Sequence, residues 1–109
     1  MSRASSAALF AALGDATRLE LVARLGDGKA RSIMQLADGL ALTRQGVTKH
    51  LHVLEQAGIV RHRRVGRESR FTLKRKPIER ARDYLVRASA QWDEAIERLK
   101  GSVEGPQRR

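Results

Sequence analysis

Gln45, Thr48, Lys49 and His52 fall at positions i, i+3, i+4 and i+7, with Arg44 one residue ahead. On an α-helix that spacing gathers the side chains on one face. Every one of them can donate or accept a hydrogen bond. A face of this kind suits a DNA groove: Arg44 matches the O6/N7 pair of guanine and Gln45 the N6/N7 pair of adenine. Thr48, Lys49 and His52 would divide between bases and phosphates, and Thr43, with the free N–H groups at the helix start, would hold a phosphate. The plainer reading of the same five residues is a solvated helix surface. His50, next to the apolar Leu51, fits two roles equally, a partly buried structural histidine or a phosphate contact.

The elements that must position this face are legible around it. Val47, Leu51 and Leu54 recur at four and three residues and define the inner side of a helix over 44–57, with Thr43 as its N-cap and Gly58 at its C′ position. Residues 41–42 form a turn. Before them Ser32 and Gln35 make a capping-box pattern that opens a helix over 32–40, with Ile33, Leu36, Ala37 and Leu40 buried. After Gly58, the β-prone runs 59–65 and 69–73 flank Gly66-Arg67-Glu68 and predict a hairpin. Its core residues are Ile59 or Val60, Phe71 and Leu73, while Arg61, Arg63, Arg64, Arg67 and Arg70 make its exposed side and tip basic. Arg63, Arg64 and Arg67 would follow phosphates or enter the adjacent minor groove. The same arginines also protect a strand edge from pairing with another chain, and both roles can hold at once.

The ends of the chain complete the plan. Residues 1–6 are small and polar and are expected to fray. Ala8, Leu9, Ala12 and Leu13, with Phe10 beside them, predict a short apolar helix over 7–13 ended by Gly14. Asp15 caps a second helix over 16–25, whose Leu21, Val22 and Leu25 face inward. Pro77 suits the first turn of a long last helix running to about residue 100. There Ile78, Ala81, Leu85, Ala88, Trp92, Ala95 and Leu99 form one stripe about three heptads long. That stripe is either core of a single chain or a dimer seam. The seam is favoured, because the domain already has a core from its middle helices. Leu85, Ala88, Trp92 and Leu99 would then meet Leu9, Phe10, Leu13 and a second subunit, with Trp92 as anchor. The expected division is one mainly α domain with a small β-hairpin over 1–100, followed by a disordered tail over 101–109.

Charge is placed as this reading requires. The 109 residues carry a net charge of +10. Residues 1–43 and 77–109 are each at +1, and the excess of +8 sits in residues 44–76, the footprint of a phosphate-binding surface. A core this small gains from a partner subunit. There is no cysteine, which excludes disulfides and thiolate metal sites. No apolar run approaches a membrane span and the start lacks the apolar core of a signal peptide, so a soluble, cytoplasmic protein is expected. An enzyme is not expected: there is no sheltered Ser/His/acid grouping, no phosphate-cradling Gly-rich loop and no metal constellation, and Gly26-Asp27-Gly28 reads as a turn.

Three blocks carry a family resemblance: Ala12-Leu13-Gly14-Asp15-Ala16-Thr17-Arg18-Leu19, Leu42-Thr43-Arg44-Gln45-Gly46-Val47-Thr48-Lys49-His50-Leu51, and Leu54-Glu55-Gln56-Ala57-Gly58-Ile59-Val60. With them the chain resembles the ArsR/SmtB family of small bacterial winged helix-turn-helix repressors over about residues 7–100. Ala16 stands where that family usually has Pro. The resemblance implies a homodimer, paired through its first and last helices, that occupies a palindromic operator on double-stranded DNA and blocks transcription. Many members sense metals through cysteines on the third helix or Asp/His/Glu ligands on the last. This chain lacks the cysteines, and its His50, His52 and His62 all lie in the reading helix or hairpin. It therefore resembles the metal-independent branch, with no metal or other cofactor and with a small molecule or protein as any inducer. The alternatives are a winged-helix protein-interaction module and a non-specific nucleoid-type DNA binder.

Overall fold

In the computed structural model, the backbone is described from residue 3 to residue 104 and the side chains from 5 to 102. The chain forms α1 (Arg3–Leu13), α2 (Ala16–Arg24), β1 (Arg31–Ser32), α3 (Ile33–Ala37), α4 (Arg44–Gln56), β2 (Val60–Val65), β3 (Glu68–Leu73) and α5 (Arg75–Glu104). It is mainly α with a three-stranded antiparallel sheet in the order β1-β3-β2.

Local signals set most boundaries. The Asp15 carboxylate accepts from the Arg18 amide at 3.0 Å and opens α2. Ser32 and Gln35 form the reciprocal capping box, with Ser32 N donating to Gln35 Oε1 at 2.9 Å and Gln35 N to Ser32 Oγ at 3.2 Å. Caps at both ends fix the limits of α4. Thr43 Oγ1 accepts from Gly46 N at 3.0 Å, and at the other end Gly58 N reaches Glu55 O while Ile59 N reaches Leu54 O, both at 2.9 Å. These two bonds are the 5→2 and 6→1 pair of a Schellman ending, and Gly58 takes the positive φ of 79° that it requires. Val65 pairs with Glu68, so the hairpin turn is only Gly66-Arg67. With φ of 65° at Gly66 and no positive φ at Arg67, this is a type II′ arrangement, whose twist suits two antiparallel strands.

Several boundaries differ from expectation. Helix α1 begins at Arg3, not near residue 7, because the Ala- and Ser-rich start extends the helix once Leu9 and Ala12 are buried. Helix α3 stops at Ala37, well before residue 40. Arg24 on α2 donates to the carbonyls of Leu36 and Asp38, so those carbonyls are satisfied without another helical turn. Strand β1, which was not expected, pairs Arg31 with Phe71 and Ser32 with Arg70. Helix α5 continues through Gly101 to Glu104, so the first four residues of the expected tail are helical. A single glycine costs about 1 kcal/mol, too little to end a helix of 30 residues. The rest of that tail, 105–109, lies outside the described residues.

The core lies where α2, α3 and α4 meet the inner face of the sheet. Leu21, Leu25, Leu36, Val47, Leu51, Leu54 and Ile59 are fully buried, with Val60 and Phe71 nearly so. Each large side chain sequestered this way contributes about 1.5–3 kcal/mol of transfer free energy. Among the described residues no helix is long and apolar enough to cross a membrane.

Candidate nucleic-acid interface

With Val47, Leu51 and Leu54 buried, the opposite side of α4 is committed to solvent. Arg44, Gln45, Lys49 and His52 are exposed and Thr48 is half-buried. Thr48 Oγ1 donates to Arg44 O at 2.8 Å, so its hydroxyl oxygen is left to accept. Thr43 has the converse arrangement, its oxygen accepting from Gly46 N and its proton free to donate. Arg44, Gln45, Thr48 and Lys49 line one groove of about 600 Å³ together with Ser32, Ile33 and Met34 of the α3 end and Arg67, Glu68 and Ser69 of the hairpin. Helix α4 and the hairpin tip thus share a single surface. Arg44, Lys49 and Arg67 have no ion pair among the described residues, so that surface keeps its positive charge.

His50, His52, Arg63 and Arg64 lie outside this groove. His50 makes the structural contact that was one of its two expected roles: Arg18 Nη1 donates to its Nδ1 at 3.1 Å, and Asp15 Oδ2 lies 3.7 Å from the same nitrogen. Arg18 also donates through Nε to the carbonyl of Ala12, so one guanidinium joins α1, α2 and α4. The hydrogen bond from the Arg18 amide, followed by the nearby His50 and Arg18 charges, holds the Asp15 carboxyl below its ordinary range against the opposing effect of burial. His52 is exposed but lies outside the groove, 3.8 Å from Glu55, whose other oxygen is 3.2 Å from His62 Nδ1. His62 in turn stacks on Phe71 at 5.1 Å between centroids. Arg63 and Arg64 are also separated. Strand alternation puts Arg64 with His62 on the α4 side of the hairpin and Arg63 with Arg61 on the outer side.

Two residues were not singled out from the sequence, one lining the groove and one supporting α4 from behind. Met34 is 60% exposed in the groove; the available signal was that it falls outside the Ile33, Leu36, Ala37, Leu40 set and so has no place in the core. Arg18 had no signal beyond its place after the Asp15 cap. Among the described residues no three His, Asp or Glu side chains converge as a metal site would require.

A helix-turn-helix domain family matches residues 13–63. The chain is 33% identical over 78 residues to the HTH-type transcriptional regulator YuzN of Bacillus subtilis, covering 66% of this chain and 85% of that one. It is 36% identical to an ArsR-like transcriptional regulator from Rhodococcus sp. RHA1 of known structure, with a TM-score of 0.74, covering 89% of this chain and 91% of that one. The chain belongs to the ArsR family of transcriptional regulators. Its hairpin is accordingly the wing of a winged helix-turn-helix DNA-binding domain, a family and fold of regulators and not of enzymes. The fold is also shared with the winged helix-turn-helix DNA-binding domain of a possible ArsR-family regulator of Mycobacterium bovis, solved as a homodimer, at 21% identity and a TM-score of 0.61 over 86% of this chain and 83% of that one.

The second surface of this ArsR-family chain runs along α1 and α5. Phe10 and Tyr84 rings meet at 5.7 Å. Phe10, Leu13, Ile78, Leu85 and Val86 line an apolar groove of about 700 Å³. Beyond it Trp92 is 71% exposed and Leu99 is 66% exposed, with Ala88 half-buried between them and Leu85. Leu9, expected in this set, is instead part of the core at 3% exposure, because its side of α1 turns towards the other helices.

Proposed function

We propose that the chain is a cytoplasmic homodimeric repressor, residues 1–100 acting as one domain, that occupies an inverted-repeat operator. Helix α4 lies in the major groove, where Arg44 and Gln45 meet base edges and Thr48, Lys49 and His52 divide between bases and phosphates. Thr43 donates its hydroxyl proton to a phosphate. Arg67 at the wing tip enters the adjacent minor groove or follows the backbone, and Arg63 and Arg64 support it from the two faces of the hairpin. The observation that carries this reading is the groove in which Arg44, Gln45 and Lys49 converge with Arg67. Pairing of two subunits through Phe10, Leu13, Leu85, Ala88, Trp92 and Leu99 is supported by the exposed apolar stripe and by the homodimeric domain from M. bovis. With no cysteine in the chain and all three histidines at α4 or the wing, we assign it to the metal-independent branch, where any inducer would be a small molecule or a protein.

Footprinting on DNA upstream of the gene, with a mass measurement of the bound particle, tests this. Two protected half-sites about 34 Å or a multiple apart are expected, on a dimer. If 6–10 phosphates are neutralised, affinity falls by about 10³–10⁵ between 50 and 200 mM salt. A monomer that coats DNA without sequence preference would instead make this a nucleoid-type binder.

A further inference from the structure

The reading groove occupies one face of the wing, yet the other face carries more positive charge. Between the outer side of the β2–β3 ladder and the start of α5 lies a cleft of about 590 Å³ lined by Arg61, Arg63, Arg70, Lys74, Arg75 and Lys76. No carboxylate lines it. Arg70 shares Glu68 at 3.1 Å, while the other five have no ion pair among the described residues. Arg63 sits directly opposite Arg70 in the ladder. Like charges in that relation disfavour a strand pair, and Glu68 offsets only the Arg70 side of it, leaving Arg63 without a counter-charge among the described residues.

Edge protection accounts for part of this, since β2 is an edge strand and charged residues on an edge discourage further pairing. It does not account for Lys74, Arg75 and Lys76, which lie beyond the ladder. The cleft has no aromatic lining on which a base would stack, and its remaining walls include Ala30, Val65 and Leu73, so it is equipped for phosphates and not for nucleobases. It also runs the length of β2, from Val65 beside the turn to Lys74 at the base. Six residues of strand span about 20 Å. That is long for a single small phosphate compound and short for none of a duplex, which presents about one phosphate per 1.7 Å of axis.

We propose that the outer face of the wing is a second, sequence-independent track for the phosphate backbone, taking duplex that flanks the half-site read by α4. The inference rests on the reading proposed above. The reading groove and the cleft lie on opposite faces of one hairpin and meet at its tip, so DNA that passes Arg67 continues towards Arg61 and the Lys74–Lys76 run. The protein thereby grips more DNA than it reads.

Equilibrium binding by fluorescence anisotropy, using the full chain, tests this on two duplexes. One ends at the outer limits of the two half-sites read by α4 and the other is extended by about ten base pairs at each end. Extension is expected to tighten wild-type binding about tenfold at low salt and to steepen its salt dependence. R61Q/K74Q/K76Q is expected to lose that gain while binding the short duplex within about twofold of wild type. R61K/K74R/K76R, which keeps the charge, is expected to retain the gain. No gain on extension of the wild-type duplex, or an equal loss on both duplexes in the glutamine variant, would overturn the track. So would a rise in melting temperature with inorganic tripolyphosphate that needs Arg61, Lys74 and Lys76 while flanking DNA adds nothing, because the site would then serve a free polyphosphate. Failure of base reading by α4 would appear on the short duplex, and failure of this proposal only in the dependence on length.

Discussion

Helices α4 and α5 are both amphipathic, yet the chain completes only one of them. The apolar side of α4 is sealed by the same chain: Val47, Leu51 and Leu54 are fully buried among α2, α3 and the sheet. Among the described residues of α5 only Ala81 is buried, and from Leu85 onward the large side chains of the apolar stripe face water. Sealing one side of α4 makes its polar side a rigid surface. Leaving α5 open makes a site that a second subunit can fill. The periodicity of the two helices is alike, and what differs is whether the fold brings anything to cover the apolar side.

Removing apolar volume should therefore have opposite consequences in the two places. Leu51→Ala leaves a cavity in a closed core and should lower unfolding free energy by about 2–5 kcal/mol, read from the denaturant midpoint. Trp92→Ala should leave the unfolding of the diluted single chain unchanged but weaken self-association by about 2 kcal/mol, near 30-fold in dimer Kd by analytical ultracentrifugation. A Trp92→Ala chain that unfolds as readily as the Leu51→Ala chain would erase the contrast, since α5 would then be ordinary core.

A smaller effect probes the closed region alone. The folded chain holds the Asp15 carboxyl below its ordinary value, so Asp15 binds its proton less readily folded than unfolded. Its stabilising contribution is complete above about pH 4 and is lost as pH falls through the lowered folded value. Asp15→Asn should remove that part of the acid dependence and leave the curve above pH 5 parallel to wild type. An unchanged slope below pH 4 in thermal melts would show that the Asp15–Arg18–His50 contacts do not hold α1, α2 and α4 together.

How far the sequence revealed all this follows the range of each interaction. The α4 limits were legible because Thr43 and Gly58 act within four residues of themselves, and the Ser32–Gln35 box because both of its bonds span three. Strand β1 was hidden, since a two-residue strand has no periodicity and its partner Phe71 is 40 positions from Arg31. His50 was undecided for the same reason, its partner Arg18 being 32 residues away. The polar side of α4 could be deduced from its apolar side, and alternation alone separates Arg63 from Arg64, whereas which of them faces α4 became clear only once Val60 was placed in the core. Leu9 and Phe10 are adjacent in a short apolar helix, and nothing local says which one the core will take.

The central claim is that the open side of α4 reads bases, and Gln45 tests it most directly. The measurement is the Kd of wild type and Gln45→Ala, at one fixed salt concentration, on the operator and on a set of operators carrying single base-pair changes. The account predicts a loss of about 1–3 kcal/mol on the operator, roughly 5- to 150-fold, with preference relaxed at one position in each half-site. An unchanged Kd with the same ranking of base pairs would contradict it.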